Sequence, residues 1–188
     1  MIDDGVNSIV VDPGQISTET AVRIVNGSSP IIAILLTHGH FDHFAGIPKI
    51  VEASNPLPIF ISEIDFQNIS INKLLKFLVK SQSDNFIPDI AQPFSSSDFI
   101  SIQNRFELEK IDTPGHTDGS VCFVQSGTLF SGDTLLARKR GPTYWPDANS
   151  SKLENSMKRL QAIDFIDVLP GHGRSFTKND ISWDSYEH

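Results

Sequence analysis

Cysteine is almost absent from this sequence: Cys122 is the one thiol among 188 residues. A single cysteine cannot form an internal disulfide, which excludes a disulfide-stapled module and suits a reducing compartment. Cys122 lies within the apolar run 121–124. We therefore expect it to pack as a small core residue.

Long apolar runs and a basic leader are missing as well. No stretch approaches the roughly 18 apolar residues that a membrane-spanning helix needs. Residues 1–4 are acidic, unlike the basic beginning of a secretory signal. We therefore expect a cytoplasmic protein that has no membrane partner.

Basic side chains are scarce relative to acidic ones, with 15 Lys and Arg against 23 Asp and Glu, so the formal net charge is −8. Such a surface repels phosphate backbones, and we expect no nucleic-acid partner. The chain length predicts one compact domain over residues 1–188, whose apolar core needs no structural metal.

Hydrophobic patterning predicts that strands and helices alternate along the chain, as in an α/β or layered α+β domain. Strands are predicted at 8–11, 31–36, 58–61, 99–102, 106–111, 120–125, 128–130 and 166–169. Helices are predicted from Ser17 or Thr18 onward and at 44–53, 62–80 and 150–163, with a polar loop at 81–97.

A dense cluster of metal-ligand side chains follows the predicted strand 31–36: His38, His40, Asp42 and His43. In an extended segment, residues i and i+2 project the same way, so His38 and His40 can bind one metal ion together. As the chain turns into a helix, the side chains of Asp42 and His43 project in another direction and can reach a second metal position. One loop histidine alone is usually solvated, but three histidines and an aspartate within six residues predict a metal site.

Three later loops each place one more potential ligand beside glycine, directly after a predicted strand. These ligands are His116 in Thr-Pro-Gly-His-Thr, Asp133 in Ser-Gly-Asp-Thr and His172 in Pro-Gly-His-Gly. Glycine lets the backbone turn tightly and approach a site closely. Each loop is a weak signal alone, whereas the ordered set is specific.

Together these motifs resemble the metallo-β-lactamase superfamily, and within it the glyoxalase II-like branch of hydroxyacylglutathione hydrolases. The matching stretches are Val-Val-Asp-Pro-Gly at 10–14, Thr-His-Gly-His-Phe-Asp-His at 37–43, and the loops that carry His116, Asp133 and His172. The resemblance implies a four-layer αββα sandwich that forms a single metallo-β-lactamase-like domain over residues 1–188. Relative to the family, we expect this sandwich to be shortened at the N-terminus and to lack the C-terminal region of glyoxalase II.

The resemblance also implies a role for each ligand. His38, His40 and His116 hold a first metal ion, Asp42, His43 and His172 hold a second, and Asp133 bridges the two. Imidazole and carboxylate donors suit zinc, iron or manganese and do not by themselves choose among them. We expect zinc first. Asp12 orders the site through hydrogen bonds rather than binding metal.

The expected reaction is attack of a metal-bridging hydroxide, oriented by the catalytic Asp42, on the acyl carbonyl of a small-molecule thioester or ester. Tyr144 and Trp145 are candidates to line the substrate pocket, or else they pack locally. Alternatives are an iron-dependent sulfur dioxygenase on the same fold and a metal-binding module without catalysis. A short first sheet would leave an exposed edge, which suggests a homodimer as a further hypothesis.

Overall fold

The computed structural model describes residues 1–68, 91–137 and 139–183. Contacts divide the chain into two compact units, Met1–Ile100 and Ser101–His188. Both units combine a five-stranded sheet with helices, which confirms the predicted α/β class. The prediction of a single domain over residues 1–188 stays a prediction.

The first unit contains a sheet in the order β1-β2-β3-β4-β5. Strands β2 to β5 pair in parallel, and β1 pairs with β2 in the antiparallel sense. The strands are β1 (Ile2–Asp3), β2 (Ser8–Val11), β3 (Ile31–Leu35), β4 (Ile59–Ile61) and β5 (Ala91–Pro93). The helices are α1 (Thr18–Val25), α2 (Phe41–Phe44), α3 (Ile47–Ala53), α4 (Glu63–Asn68) and α5 (Ser97–Arg105), within which the boundary between the units falls.

Apolar side chains of β2, β3 and β4 form the core of this unit with the inner faces of α1 and α3. Ser17 caps α1, because its side chain accepts a hydrogen bond from the backbone N–H of Thr20. Strand β3 is apolar throughout, as expected of a parallel strand covered on both faces. The core therefore fixes the positions of the C-terminal ends of β2, β3 and β4.

The second unit contains a sheet in the order β12-β11-β8-β7-β6, and a β9-β10 hairpin. Its strands are β6 (Glu109–Asp112), β7 (Val121–Gln125), β8 (Thr128–Gly132), β9 (Leu135–Leu136), β10 (Lys139–Arg140), β11 (Asp167–Pro170) and β12 (Phe176–Thr177). Helix α6 (Ser150–Ala162) and a 3-10 turn (Lys178–Asp180) complete the described part of this unit. Cys122 is fully buried in its core, as predicted.

The prediction of a strand at 99–102 is wrong, because these residues lie in helix α5. Ser96 begins the helix by accepting a hydrogen bond from the backbone N–H of Phe99. Phe99 and Ile102 lie three residues apart, so both fall on one helical face, and both are buried. The apolar and β-branched composition indicated a strand, but the cap and this spacing favour the helix.

Other boundaries also differ from the predictions. The helix predicted at 44–53 is two helices, α2 and α3, and the predicted loop 81–97 contains β5. The predicted helix 62–80 begins as α4, and its remainder lies outside the described residues. Within residues 1–68, 91–137 and 139–183, no helix has the length and hydropathy required to cross a bilayer.

Candidate metal centre

In the first unit, the neighbouring parallel strands β2 and β3 deliver the predicted site residues to one edge of the sheet, which β4 and α4 share. Asp12 directly follows β2, the loop with His38 and His40 follows β3, and α4 follows β4. Carboxyl ends of parallel strands lie at the same edge, where open α/β sheets usually bind ligands. The topology thus explains why residues distant in sequence gather there.

The histidines of the β3–α2 loop and of α2 lie close together. The Nε2 atom of His38 is 3.1 Å from the Nδ1 atom of His40, and the ring centroids of His38 and His43 are 4.0 Å apart. His38 and His43 are buried, at 1% and 2% exposure. Three imidazoles so close together would repel one another if they were protonated, so the cluster suits a bound cation.

Asp12 lies behind these rings and has a positive φ of 43°. Its Oδ2 atom accepts hydrogen bonds from His43 Nδ1 at 2.8 Å and from the Thr37 hydroxyl at 2.6 Å. Its Oδ1 atom accepts from the backbone N–H of Thr37 at 2.8 Å. Because a carboxylate only accepts, His43 carries its proton on Nδ1 and keeps Nε2 for a metal ion.

The same carboxylate acts on His38 through Thr37. The Thr37 hydroxyl donates its one proton to Asp12. It therefore accepts a hydrogen bond from His38 Nδ1, which lies 3.0 Å away. His38 therefore also keeps Nε2 for a metal ion. Asp12, His38 and His43 form one possible three-ligand group, but both oxygens of Asp12 already hold this network, which favours positioning over metal binding.

Asp42 and His43 share the short helix α2 but differ in their surroundings. Asp42 lies in its first turn and is exposed, whereas His43 is buried. An exposed carboxylate beside buried imidazoles can face solvent and a substrate. This arrangement suits the catalytic role predicted for Asp42, which stays a prediction.

In the second unit, the carboxylate of Asp133 lies beside both predicted histidines. Its Oδ2 atom is 3.6 Å from His116 Nε2 and 3.5 Å from His172 Nε2. Asp133 and His116 are buried, while His172 is about half exposed. One carboxylate oxygen thus faces two imidazole nitrogens, which suits the bridging role predicted for Asp133; that role stays a prediction.

The three loops leave strands that run in the same direction. His116 follows β6, Asp133 follows β8 and His172 follows β11. Strands β8 and β11 pair in parallel, and β6 and β8 both pair with β7 in the antiparallel sense. A hydrogen bond of 2.7 Å from the Gly171 N–H to the Gly132 carbonyl joins the Asp133 and His172 loops.

Backbone contacts fix the ring of His116. Its Nδ1 atom donates to the carbonyl of Pro142 at 2.7 Å, which leaves Nε2 facing Asp133. The neighbouring Gly141 has no room for a side chain, because an added Cβ would lie 1.6 Å from the Asp133 carbonyl oxygen. Similarly, a Cβ at Gly115 would lie 2.3 Å from the backbone nitrogen of Leu153 at the beginning of α6.

These distances fit metal coordination within each unit. Two nitrogen or oxygen ligands of one tetrahedral zinc ion, each about 2.0–2.1 Å from it, lie roughly 3.3 Å apart. The His38–His40 distance of 3.1 Å and the Asp133 distances of 3.5 and 3.6 Å are close to this value. The donor set, with its imidazole protons held on Nδ1 of three histidines, therefore fits divalent metal ions.

Tyr144 and Trp145 lie between β10 and α6, in the second unit. Their side chains are 76% and 47% exposed, and their ring centroids are 5.3 Å apart. They contact each other, as the local-packing alternative expects, and both reach solvent. Their predicted part in substrate binding stays a prediction.

Sequence reasoning missed several residues that support the ligands: Thr37, Asp65, Gly141 and Pro142. The Thr37 hydroxyl connects Asp12 to His38, and Pro142 acts through its carbonyl, which carries no sequence signal. Asp65 accepts a hydrogen bond from the Gly39 backbone N–H at 2.8 Å, although the two are 26 residues apart. The position of Thr37 directly before His38 was the one signal that could have been found.

Comparisons with known proteins find relatives of this chain. A family model described as the metallo-beta-lactamase superfamily matches residues 1–172. A probable metallo-hydrolase of Streptococcus pyogenes serotype M6 is 31% identical over 90% of this chain and 75% of its own length. A hydroxyacylglutathione hydrolase of Alkalilimnicola ehrlichii is 28% identical, and the match covers 87% of this chain but only 55% of that protein.

A solved structure is also similar to the chain. The crystal structure of TTHA1623 in a di-iron-bound form has a TM-score of 0.70 and 30% identity, covering 89% of this chain and 82% of that one. The family fold predicted from the motifs is thereby confirmed.

Proposed function

The chain belongs to the metallo-beta-lactamase superfamily, and from this premise we propose that it is a dinuclear metal-dependent hydrolase of thioesters or esters. The proposed ligands are His38, His40 and His116 for one ion, Asp42, His43 and His172 for the other, and Asp133 for both. Zinc is the proposed metal, and iron and manganese suit the same donors.

The observation that carries the proposal is the position of Asp133. A buried carboxylate oxygen 3.6 and 3.5 Å from two imidazole nitrogens suits a ligand shared by two cations. Without a cation, burying that carboxylate would cost several kcal/mol. In the first unit, Asp12 prepares His38 and His43 to present unprotonated Nε2 atoms. Both units thus supply ligands that need little rearrangement before a metal ion binds.

Two divalent ions, when bound, supply Lewis acidity and lower the pKa of water towards neutrality. The protein's own part is to hold the ligand nitrogens unprotonated and to keep the loops fixed. The exposed Asp42 would accept a hydrogen bond from the attacking water and so orient it towards the acyl carbon.

A thioester is the substrate class that best suits the residues. A thiolate leaving group needs no protonation, because thiols have a pKa near 8.5. Among the residues that the structure describes, no obvious general acid accompanies the proposed ligands. The similarity to a hydroxyacylglutathione hydrolase points the same way. Because the chain spans 55% of that relative, recognition of glutathione itself is tested separately.

The test combines elemental analysis with hydrolysis of two thioesters on the same sample. S-D-lactoylglutathione carries the glutathione group, and S-acetyl-N-acetylcysteamine lacks it. We expect about two equivalents of metal per chain and turnover of at least one thioester. The matched variants are His40→Ala, which should lose metal and activity, and His188→Ala, which changes the one histidine outside the predicted set.

The alternatives give different results in this experiment. One equivalent of iron, no hydrolysis and oxygen uptake with a persulfide would indicate the sulfur dioxygenase. Stable metal without turnover of either thioester or persulfide would indicate the metal-binding module. The di-iron form of TTHA1623 makes iron analysis a necessary part of the experiment.

We further propose that the enzyme acts in the cytoplasm on a small-molecule acyl substrate. The homodimer hypothesis is tested by light scattering of the purified chain. A mass near 20.8 kDa would contradict it.

A further inference from the structure

The hydrogen bond between the Gly39 backbone and Asp65 is not used by the function proposed above, which assigns only the ligands and Asp12. Gly39 lies between the ligands His38 and His40, and its N–H donates to Asp65 Oδ2 at 2.8 Å. Asp65 belongs to α4, which follows the neighbouring strand β4. The ligand loop is therefore tied to a different element of the same sheet edge.

Asp65 is itself held in place. Asp65 is only 2% exposed. Its backbone N–H donates a hydrogen bond of 3.1 Å to the hydroxyl of Ser62, and this bond caps α4. Burying a carboxylate costs free energy unless it is hydrogen-bonded. A bond from a backbone N–H to a charged acceptor is stronger than one between neutral groups. The cost of burial and the strength of this bond both favour a fixed position for Gly39.

We propose that Asp65 is a positioning residue that fixes the backbone of the ligand loop at Gly39, so that His38 and His40 keep the geometry in which they share a metal ion. This inference rests on the proposed function for its metal, whereas the fixing of Gly39 does not need one. His38 Nε2 and His40 Nδ1 lie 3.1 Å apart on either side of this residue. A rotation of the Gly39 peptide would separate them.

Asp65 differs from Asp12 in what it holds. Asp12 holds the rings of His43 and, through Thr37, His38. Asp65 holds main chain instead. Supporting residues of this kind change metal affinity by about 10–100-fold when they are removed. The two carboxylates therefore fix different degrees of freedom of one loop.

The test measures metal affinity by chelator competition with zinc for the wild type, Asp65→Ala, Asp65→Asn and Glu63→Ala. Glu63 is an exposed acid in the same first turn of α4, so its removal gives the same change of charge at the same helix end. We expect Asp65→Ala to bind zinc about 10–100-fold more weakly. Asp65→Asn, which keeps an acceptor oxygen, should recover part of the loss, and Glu63→Ala should match the wild type.

A second measurement follows the Gly39 amide proton by NMR in the metal-free wild type. We expect slow hydrogen exchange, and faster exchange in Asp65→Ala. If the Gly39 amide of the wild type exchanged as fast as a solvent-exposed amide, the inference would be overturned. This result does not depend on whether Asp65→Ala folds. Equal zinc affinity of Asp65→Ala and the wild type, or an equal loss in Glu63→Ala, would overturn it too. Absence of metal from the wild type would instead contradict the proposed function, and the Gly39 exchange would still decide the role of Asp65.

Discussion

In residues 1–100 the proposed ligands come from one loop and one short helix, whereas in residues 101–188 each ligand comes from a separate loop. The first set is supported by side chains, since the Asp12 carboxylate holds His43 directly and His38 through Thr37. In the second set, the Pro142 carbonyl holds His116. A side chain that supports a ligand can be removed by mutation, while a backbone carbonyl cannot. The two units therefore differ in how each can be tested.

The largest effect is expected from Asp133→Ala. Removing the carboxylate that faces both His116 and His172 would take a ligand from both of the proposed metal positions. Because loss of a supporting residue alone costs about 10–100-fold in affinity, loss of this shared ligand should exceed about 100-fold and abolish turnover. Elemental analysis and chelator competition measure the loss.

Two matched variants make the result specific. Asp112→Ala removes an exposed acid of β6 that is paired with Lys110, and it should retain both metals. His172→Ala should weaken mainly one of the two metals. If Asp133→Ala kept both metals, its assignment as the shared ligand would be wrong.

Gly141→Ala should give the next largest effect, and it tests the backbone support of the second unit. The added Cβ would lie 1.6 Å from the Asp133 carbonyl oxygen, so the loop must move. Overpacking of this kind costs about 1–3 kcal/mol in the free energy of unfolding, which denaturant titration measures. Zinc affinity should fall as well, because the same loop holds the Asp133 side chain.

Gly173→Ala is the control for this change. Gly173 has a φ of 88°, and no atom of residues 1–68, 91–137 or 139–183 lies within 4 Å of an added Cβ, so an alanine there gives backbone strain without a clash among these residues. It should cost less stability than Gly141→Ala and leave the Asp133 loop in place. An equal loss in both variants would show that the contact with Asp133 has no special importance.

Asp12→Asn should produce a loss of about 10–100-fold in metal affinity, and it tests the side-chain support of the first unit. Asparagine tolerates the positive φ of this position, so the backbone can stay. Its amide, however, cannot accept at both former carboxylate oxygens, and its N–H₂ group would face the donors Thr37 and His43. His43 should then change tautomer, which nitrogen-15 NMR of the ring detects.

Asp4→Asn is a suitable comparison, because Asp4 is an exposed turn aspartate that accepts from the backbone N–H groups of Val6 and Asn7. An amide oxygen can replace that function, so metal affinity should not change. An unchanged His43 tautomer in Asp12→Asn would contradict the proposed role of Asp12.

How much of this organisation can be predicted from sequence depends on the range of the contacts. The loop with His38 and His40 is a local pattern, and His116, Asp133 and His172 each lie beside glycine after a strand-like run. The support by Asp65 joins residues 26 apart, and nothing near Asp65 in sequence indicates Gly39 as its partner. Pro142 contributes a carbonyl that every residue has.

The same limit explains the errors in secondary structure. Strand β5 has the sequence Ala-Gln-Pro, which lacks a strand pattern, and it forms because it pairs with β4. Residues 99–102 have strand-like composition, but Phe99 packs against Phe60 and Phe94 from a helix, with ring centroids 5.5 and 4.7 Å apart. At β5 a tertiary contact outweighs the local preference, and at 99–102 the tertiary contact acts together with the Ser96 cap.

A smaller effect is expected from Thr37→Val. Valine keeps a branched side chain but removes the hydroxyl that connects Asp12 to His38. His38 then loses one restraint on its tautomer while its backbone stays, so we expect roughly a tenfold loss of zinc affinity, at the low end for supporting residues. Thr37→Ser restores the hydroxyl and should restore affinity. Equal affinities for the valine and serine variants would rule out the connection.

The smallest effect concerns Asp180, which like Asp65 accepts a backbone N–H but does so at the surface. The Thr177 N–H, and then its hydroxyl, lower the pKa of Asp180 below its usual 3.8. A carboxyl whose folded-state pKa is lowered stabilises the fold above the unfolded-state pKa, and this contribution disappears as pH falls through the lowered value. Asp180→Asn should therefore be less stable than the wild type at pH 7, and the difference should shrink below about pH 3.8. Denaturant titration across this pH range measures the difference in stability between the wild type and Asp180→Asn. The control Thr177→Ser should retain the wild-type profile. A difference that is independent of pH would show that the charge of Asp180 contributes nothing.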